Sequence, residues 1–79
     1  MVKMIKLETA EQLREFMNLA WECPDDVGVH TVDNKIADAK SVLGLMSLDY
    51  TKPVKVVTES DDFMRKLDKW AAKHDVAEG

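Results

Sequence analysis

Few side chains in this chain of 79 residues have reactive chemistry, and their spacing excludes most catalytic arrangements. Cys23 is the one thiol, and His30 and His74 are the two imidazoles. They form no spaced metal-ligand set, and Asp25-Asp26 lacks the further oxygens that a calcium loop requires. No glycine-rich phosphate loop and no set of nucleophile, base and acid can be assembled from the remaining residues. We therefore predict that the protein is not an enzyme and uses no metal or other cofactor.

Ser41 is the residue whose position best suits a chemical modification, namely phosphorylation. It precedes the apolar segment Val42-Leu43-Gly44-Leu45-Met46, and serine is a favoured N-cap, so a short helix is predicted from Ser41 to about Asp49. A phosphate on such a serine is favoured by the free backbone amides and the dipole of the helix. The alternative is a structural N-cap, worth about 1 kcal/mol.

Composition predicts one globular domain over residues 1–79, since 46% of the residues are apolar and 33% are charged. No apolar run approaches the roughly 20 residues of a membrane helix, and the N-terminal segment is too short for a signal peptide. The net charge of −4 argues against nucleic acid. We expect a cytoplasmic monomer that contacts protein partners, not membranes.

The first half of the chain predicts a strand and a helix. Val2 to Leu7 is a strand with Ile5 and Leu7 on its core face, and Thr9 and Gln12 form a capping box for a helix ending at Cys23. Five apolar residues at spacings of three and four mark one face of this helix: Leu13, Phe16, Met17, Ala20 and Trp21.

The second half predicts two strands joined by a turn, the short helix, a further strand and a last helix. The second strand is Val27 to Val32, and internal alternation would bury Val27 and Val29. The other elements are the turn Asp33-Asn34-Lys35, a third strand Ile36 to Ala39, a fourth strand around Val54 and Val56, and a helix from Ser60 to His74.

The element order βαββαβα indicates an α+β fold, an open-faced β-sandwich in which three helices cover one face of a four-stranded antiparallel sheet. The predicted core residues are Ile5, Leu13, Phe16, Met17, Ala20, Val54, Val56, Phe63 and Leu67.

Three segments resemble the second half of HPr, the phosphocarrier family of the bacterial sugar phosphotransferase system, with its pattern NGK…AKSIMGLMSLG…ITEGED. They are Asp33-Asn34-Lys35, the ten residues 39–48, and the seven residues 56–62. The resemblance extends from about Val27 to Lys73, and it implies the strand order 1-4-2-3. A gapless match to the family would point Gly28, His30 and Val32 inward, in conflict with the alternation of that strand.

The first half departs from the family, whose phosphoacceptor histidine lies in a motif close to G-[LIV]-H-x-R-P-A. The segment Leu7 to Leu13 contains no histidine, arginine or proline, and the comparison brings the family's histidine to about Ala10. Glu8 and Glu11 would repel a phosphoryl group. The phosphocarrier site is therefore missing, and His30 and His74 are interpreted as structural or surface residues.

The resemblance implies a role for Ser41, because the family's regulatory serine is phosphorylated at this place by an HPr kinase/phosphorylase, and the phosphorylated form binds a transcriptional regulator. Val42, Leu43 and Met46 match an exposed apolar patch that contacts partners. We predict a non-catalytic, regulatory HPr-like protein. Two alternatives stay open: a phosphocarrier with a displaced acceptor histidine, and an HPr-like scaffold with another function.

Overall fold

The computed structural model describes residues 1–74 and 77–78. Its strands and helices follow one another in the predicted order βαββαβα, with one short strand after the last helix. The strands are β1 (Val2–Ile5), β2 (Val27–His30), β3 (Ile36–Asp38), β4 (Val54–Thr58) and β5 (Ala77–Glu78), and the helices are α1 (Ala10–Glu22), α2 (Val42–Met46) and α3 (Asp61–His74).

The strands form one antiparallel sheet in the order β3-β2-β4-β1-β5. The predicted four-stranded order 1-4-2-3 is confirmed, and the three helices cover one face. The register pairs Ile5 with Val54 and Val27 with Thr58. The sequence did not predict β5, because two residues are too short to show an alternating pattern.

The core lies between the sheet and the helices, and most of the predicted core is buried. Phe16 of α1 and Phe63 of α3 meet edge to face, with ring centroids 6.4 Å apart and an interplanar angle of 72°. Two predicted core residues, Leu13 and Met17, are only partly buried and pack against this cluster. The others are buried: Ile5, Phe16, Ala20, Val54, Val56, Phe63 and Leu67.

The register of β2 follows its own alternation. Val27 and Val29 are buried, whereas Val32 is 58% exposed. The inward orientation implied by the gapless family match was therefore wrong for this strand. Gly28 and His30 lie on the open face, where the His30 Nε2 atom is 3.5 Å from the place that a Gly28 Cβ would occupy. Because side chains alternate between the faces of a sheet, one residue of register decides between the two arrangements.

Trp21 was assigned to the apolar face of the first helix but is 61% exposed. The buried line of α1 and its C-cap runs through Phe16, Ala20 and Cys23, at spacings of four and three. Trp21 follows Ala20 by about 100° around the helix and falls outside this line. The five spaced apolar residues mark a wider face of α1 than the part of the helix that is buried.

Capping and turn chemistry confirm the predicted start of α1 and the predicted turn after β2, although β2 ends at His30 instead of Val32 and β3 at Asp38 instead of Ala39. The Gln12 N–H donates to Thr9 Oγ1 (3.0 Å), and the Glu8 N–H donates to Gln12 Oε1 (2.8 Å), which completes the capping box of α1. In the turn between β2 and β3, Asn34 has a φ of 66°, a left-handed conformation that asparagine tolerates better than most residues. The Thr31 hydroxyl donates to the Asp33 carboxylate and lowers the pKa of that carboxyl.

Candidate functional site

Helix α2 presents three apolar side chains to solvent. Val42 is 45% exposed, Leu43 is 83% exposed and Met46 is 67% exposed, whereas Leu45 between them is fully buried. We call Val42, Leu43 and Met46 the α2 patch. The helix is shorter than predicted, ending at Met46 instead of Asp49, and the single anchor Leu45 fixes which of its side chains point outward.

Two contacts hold α2 against the rest of the fold. The Tyr50 hydroxyl donates to the Leu45 carbonyl. A Cβ on Gly44 would lie 3.4 Å from the Ala37 Cβ and 3.1 Å from the Ser41 Oγ, so glycine allows the helix to approach β3 closely. This close packing compensates for the low helix propensity of glycine at Gly44.

Ser41 is the N-cap of α2 and is exposed. Its Oγ accepts a hydrogen bond from the Gly44 N–H at 3.3 Å, and its own N–H donates to the Asp38 carbonyl at 2.8 Å. The neighbouring Lys40 ammonium donates to the Asp25 carbonyl (3.0 Å). The backbone of Ser41 is thus fixed from two sides, while its hydroxyl oxygen remains accessible.

The other two serines lie in different surroundings. The Ser47 Oγ, also exposed, donates to the Gly44 carbonyl at 2.7 Å, at the carboxyl end of α2. The Ser60 side chain is buried and accepts from the Phe63 N–H at 3.1 Å, as the predicted N-cap of α3. Only Ser41 combines exposure with the amino end of a helix.

A cavity of about 210 Å³ lies at the beginning of α1, beside the place where Ala10 stands. Burial raises the pKa of Tyr50 to about 12, so its phenol stays protonated and can donate to the Leu45 carbonyl. Tyr50 therefore borders the cavity at the start of α1 while its hydroxyl contacts α2. The residues that line the cavity are Leu7, Glu8, Thr9, Ala10, Leu13 and Tyr50.

The two histidines lie away from this cavity. His30 is half-buried on the open face of the sheet. His74 ends α3, where its Nε2 is 3.5 Å from the Glu15 Oε1 and its ring centroid is 5.4 Å from that of Trp70. The Trp70 Nε1–H also donates to Glu15 Oε1, at 3.3 Å. The structure thus gives His74 a packing role between α3 and α1.

Across residues 1–74 and 77–78, no three histidine, cysteine or acidic side chains are grouped so that they could hold a metal ion. Within the same residues, no helix combines the length and apolar character needed to cross a membrane. Cys23 is buried as a free thiol at the end of α1.

No protein-family model and no curated protein matches the chain. Among solved structures, it is similar to the crystal structure of HPr-C-His from Thermoanaerobacter tengcongensis, with a TM-score of 0.70. The sequence identity is 27%, and the match covers 86% of this chain and 83% of that chain. The fold is HPr-like. This agrees with the resemblance that the second half of the sequence shows to the HPr family.

Sequence reasoning selected Ser41, Val42, Leu43 and Met46, and the structure brings them together on one short helix. It missed Tyr50 and the cavity beside Ala10. The available signal was a single aromatic residue shortly after the predicted end of α2, which alone does not indicate a cavity shared with the start of α1.

Proposed function

We propose that this chain is a non-catalytic HPr-like protein of the sugar phosphotransferase system that acts by contacting other proteins. The α2 patch is its docking surface, and Ser41 is its regulatory phosphorylation site. The observation that carries this proposal is the exposure of Val42, Leu43 and Met46 on a helix anchored by Leu45, within an HPr-like fold.

Exposed apolar residues are common singly, but three on one short helix form a patch of the kind that interfaces use. Because the carbonyl of Leu45 is held by Tyr50, the backbone under the patch is fixed before any partner arrives. Methionine and leucine adapt their side chains to different partners at low cost. A rigid base with adaptable side chains supports a docking role.

The start of α1 supports a non-catalytic role. Ala10 has no nucleophilic atom, and the nearby carboxylates Glu8 and Glu11 are exposed. An incoming phosphoryl group would meet like charge there, in contrast to the arginine that the family motif supplies. Phosphoryl transfer through this position is therefore not part of the proposal.

The proposal is tested with Met46→Asp. Because Met46 is mostly exposed, we expect little change in the melting temperature. We expect affinity for an HPr kinase/phosphorylase, and for the regulator that binds the phosphorylated family member, to fall about tenfold or more, as for a central interface residue. Calorimetric titration of both partners measures this.

Val2→Asp is the matched control. Val2 is also exposed, but it lies on β1, and two strands separate β1 from β3, the strand that α2 approaches. It should leave both affinities unchanged. Equal affinities for parent and Met46→Asp with both partners would show that the α2 patch is not the docking surface.

The alternative of a displaced phosphoacceptor gives a separate prediction. With phosphoenolpyruvate and the general phosphotransfer enzyme, the parent chain, His30→Ala and His74→Ala should all show the same negligible acid-labile labelling, because neither imidazole lies beside the start of α1. An authentic HPr in the same reaction is the positive control. Labelling of the parent that disappears in either variant would establish a working phosphocarrier.

A further inference from the structure

The cavity at the start of α1 is lined mainly by apolar side chains and has one charged residue among its lining residues. Leu7, Ala10 and Leu13 supply alkyl surface, and Glu8 supplies the one carboxylate among the lining residues. Glu11 adds a second carboxylate in the first turn of the helix. A space of about 210 Å³ with apolar walls and a carboxylate at its edge suits one long side chain that is apolar along its stem and cationic at its tip.

Tyr50 favours a guanidinium as that tip. Its hydroxyl is engaged by the Leu45 carbonyl, so the aromatic ring is the part of the side chain left to contact an occupant. Guanidinium groups stack on aromatic rings and pair with carboxylates at the same time, which an ammonium does less well. Tyr50 and Glu8 together therefore match arginine.

Glu8 is the one charged side chain among the residues that line the cavity. The Lys6 ammonium donates to the Thr51 carbonyl at 2.9 Å, and Lys6 does not line the cavity. The pKa of Asp49 is lowered mainly by the hydrogen bond from the Thr51 hydroxyl, and the positive charge of Lys52 lowers it further. Glu8 makes no ion pair within the described part of the chain, so its carboxylate is free to meet a cation from outside.

Tyr50 lines the cavity and also contacts α2, the helix that carries the α2 patch. Leu45, whose carbonyl holds Tyr50, directly precedes Met46 in the chain. One partner segment can therefore cover both, with an apolar side chain on Met46 and a basic side chain beside Tyr50.

We infer that the partner of this chain inserts an arginine into the cavity beside Glu8 and Tyr50 while an apolar residue of the same segment rests on the α2 patch. This rests on the proposed function, because it takes the α2 patch as the docking surface. It specifies the partner's chemistry: a protein segment that joins an apolar side chain to an arginine.

The test uses the peptide amides acetyl-Leu-Ala-Arg and acetyl-Leu-Ala-citrulline, which differ in charge but hardly in shape. Each is titrated into the ¹⁵N-labelled full chain and followed by amide chemical shifts. We expect the arginine peptide to shift Glu8 to Leu13 and Tyr50, and to bind about threefold more tightly than the citrulline peptide, as for a partly exposed ion pair. High salt should remove the difference.

Glu8→Gln should abolish the preference for arginine, and Glu22→Gln, an exposed carboxylate at the other end of α1, should retain it. Equal binding of the two peptides, shifts away from the cavity, or no shifts at millimolar peptide would overturn the inference. If arginine preference fails while Met46→Asp still weakens partner binding, only this inference falls. If the preference holds while Met46→Asp has no effect on either partner, the cavity binds arginine as inferred and the proposed function falls.

Discussion

Replacing Phe16 with alanine is expected to lower the free energy of unfolding by roughly 3 to 5 kcal/mol. Phe16 is fully buried at the middle of α1, and its ring lies 6.4 Å from that of Phe63 and 6.5 Å from that of Trp70, centroid to centroid. Alanine would leave a cavity between two helices and the sheet. Since small domains have about 5 to 15 kcal/mol of stability, this one change removes a large part of it.

Urea denaturation measures the effect, as a lower midpoint at an unchanged slope. Trp21→Ala is the matched control, because Trp21 is a larger aromatic residue on the same helix but is mostly exposed. Its cost should stay within about 0.5 kcal/mol. A loss from Trp21→Ala as large as that from Phe16→Ala would contradict the position of α1 on the sheet.

Removing the Ser41 hydroxyl is expected to abolish phosphorylation of this chain by an HPr kinase/phosphorylase. Ser41 is exposed and lies at the amino end of α2, where added negative charge is favourable. A phosphate on Ser47 would face the carboxyl end of the same helix, and Ser60, the N-cap of α3, is buried. The modification should therefore be confined to Ser41, with a gain of about two negative charges beside the α2 patch.

Ser41→Ala also removes an N-cap worth about 1 kcal/mol, so a second variant is needed. Ser41→Asn keeps a good cap but has no hydroxyl, and it should be equally resistant to the kinase while retaining the parent's stability. Ser47→Ala is the control that should be modified normally. Mass spectrometry of the intact chain reads all four proteins, and phosphate on Ser41→Asn, or its loss in Ser47→Ala, would place the modification elsewhere.

Much of the fold followed from local rules. The capping residues Thr9 and Ser60 set the starts of α1 and α3. The register of β2 agrees with its own alternation, one of the two orientations that the sequence left open. Two orientations were wrong, one because the apolar face assigned to α1 was too wide and one because the family match was extended to the second strand. Trp21 had the right spacing for the core but not the right angle, and Val32 matched the family position but not the strand's own period.

The candidate site was predictable to the extent that it is local. Ser41 and the α2 patch lie within six consecutive residues, so their arrangement on a helix follows from spacing. The cavity beside Ala10 depends on residues about 40 positions apart, Leu7 to Leu13 and Tyr50, which only the packed chain brings together. The local sequence around either segment gives no sign that the two segments meet in the fold.

The sheet order has a consequence for the biosynthesis of the protein. β4 lies between β1 and β2 and pairs with both, so a nascent chain that ends before Val54 can pair only β2 with β3 among these four strands. Most long-range strand pairs of the sheet need residues 54–58, so we expect the sheet to assemble only after β4 has been made. Leu45 is buried in the core, which is complete only when β4 has joined the sheet. A truncated translation product that ends before Val54 is therefore not expected to display the α2 patch in its folded form.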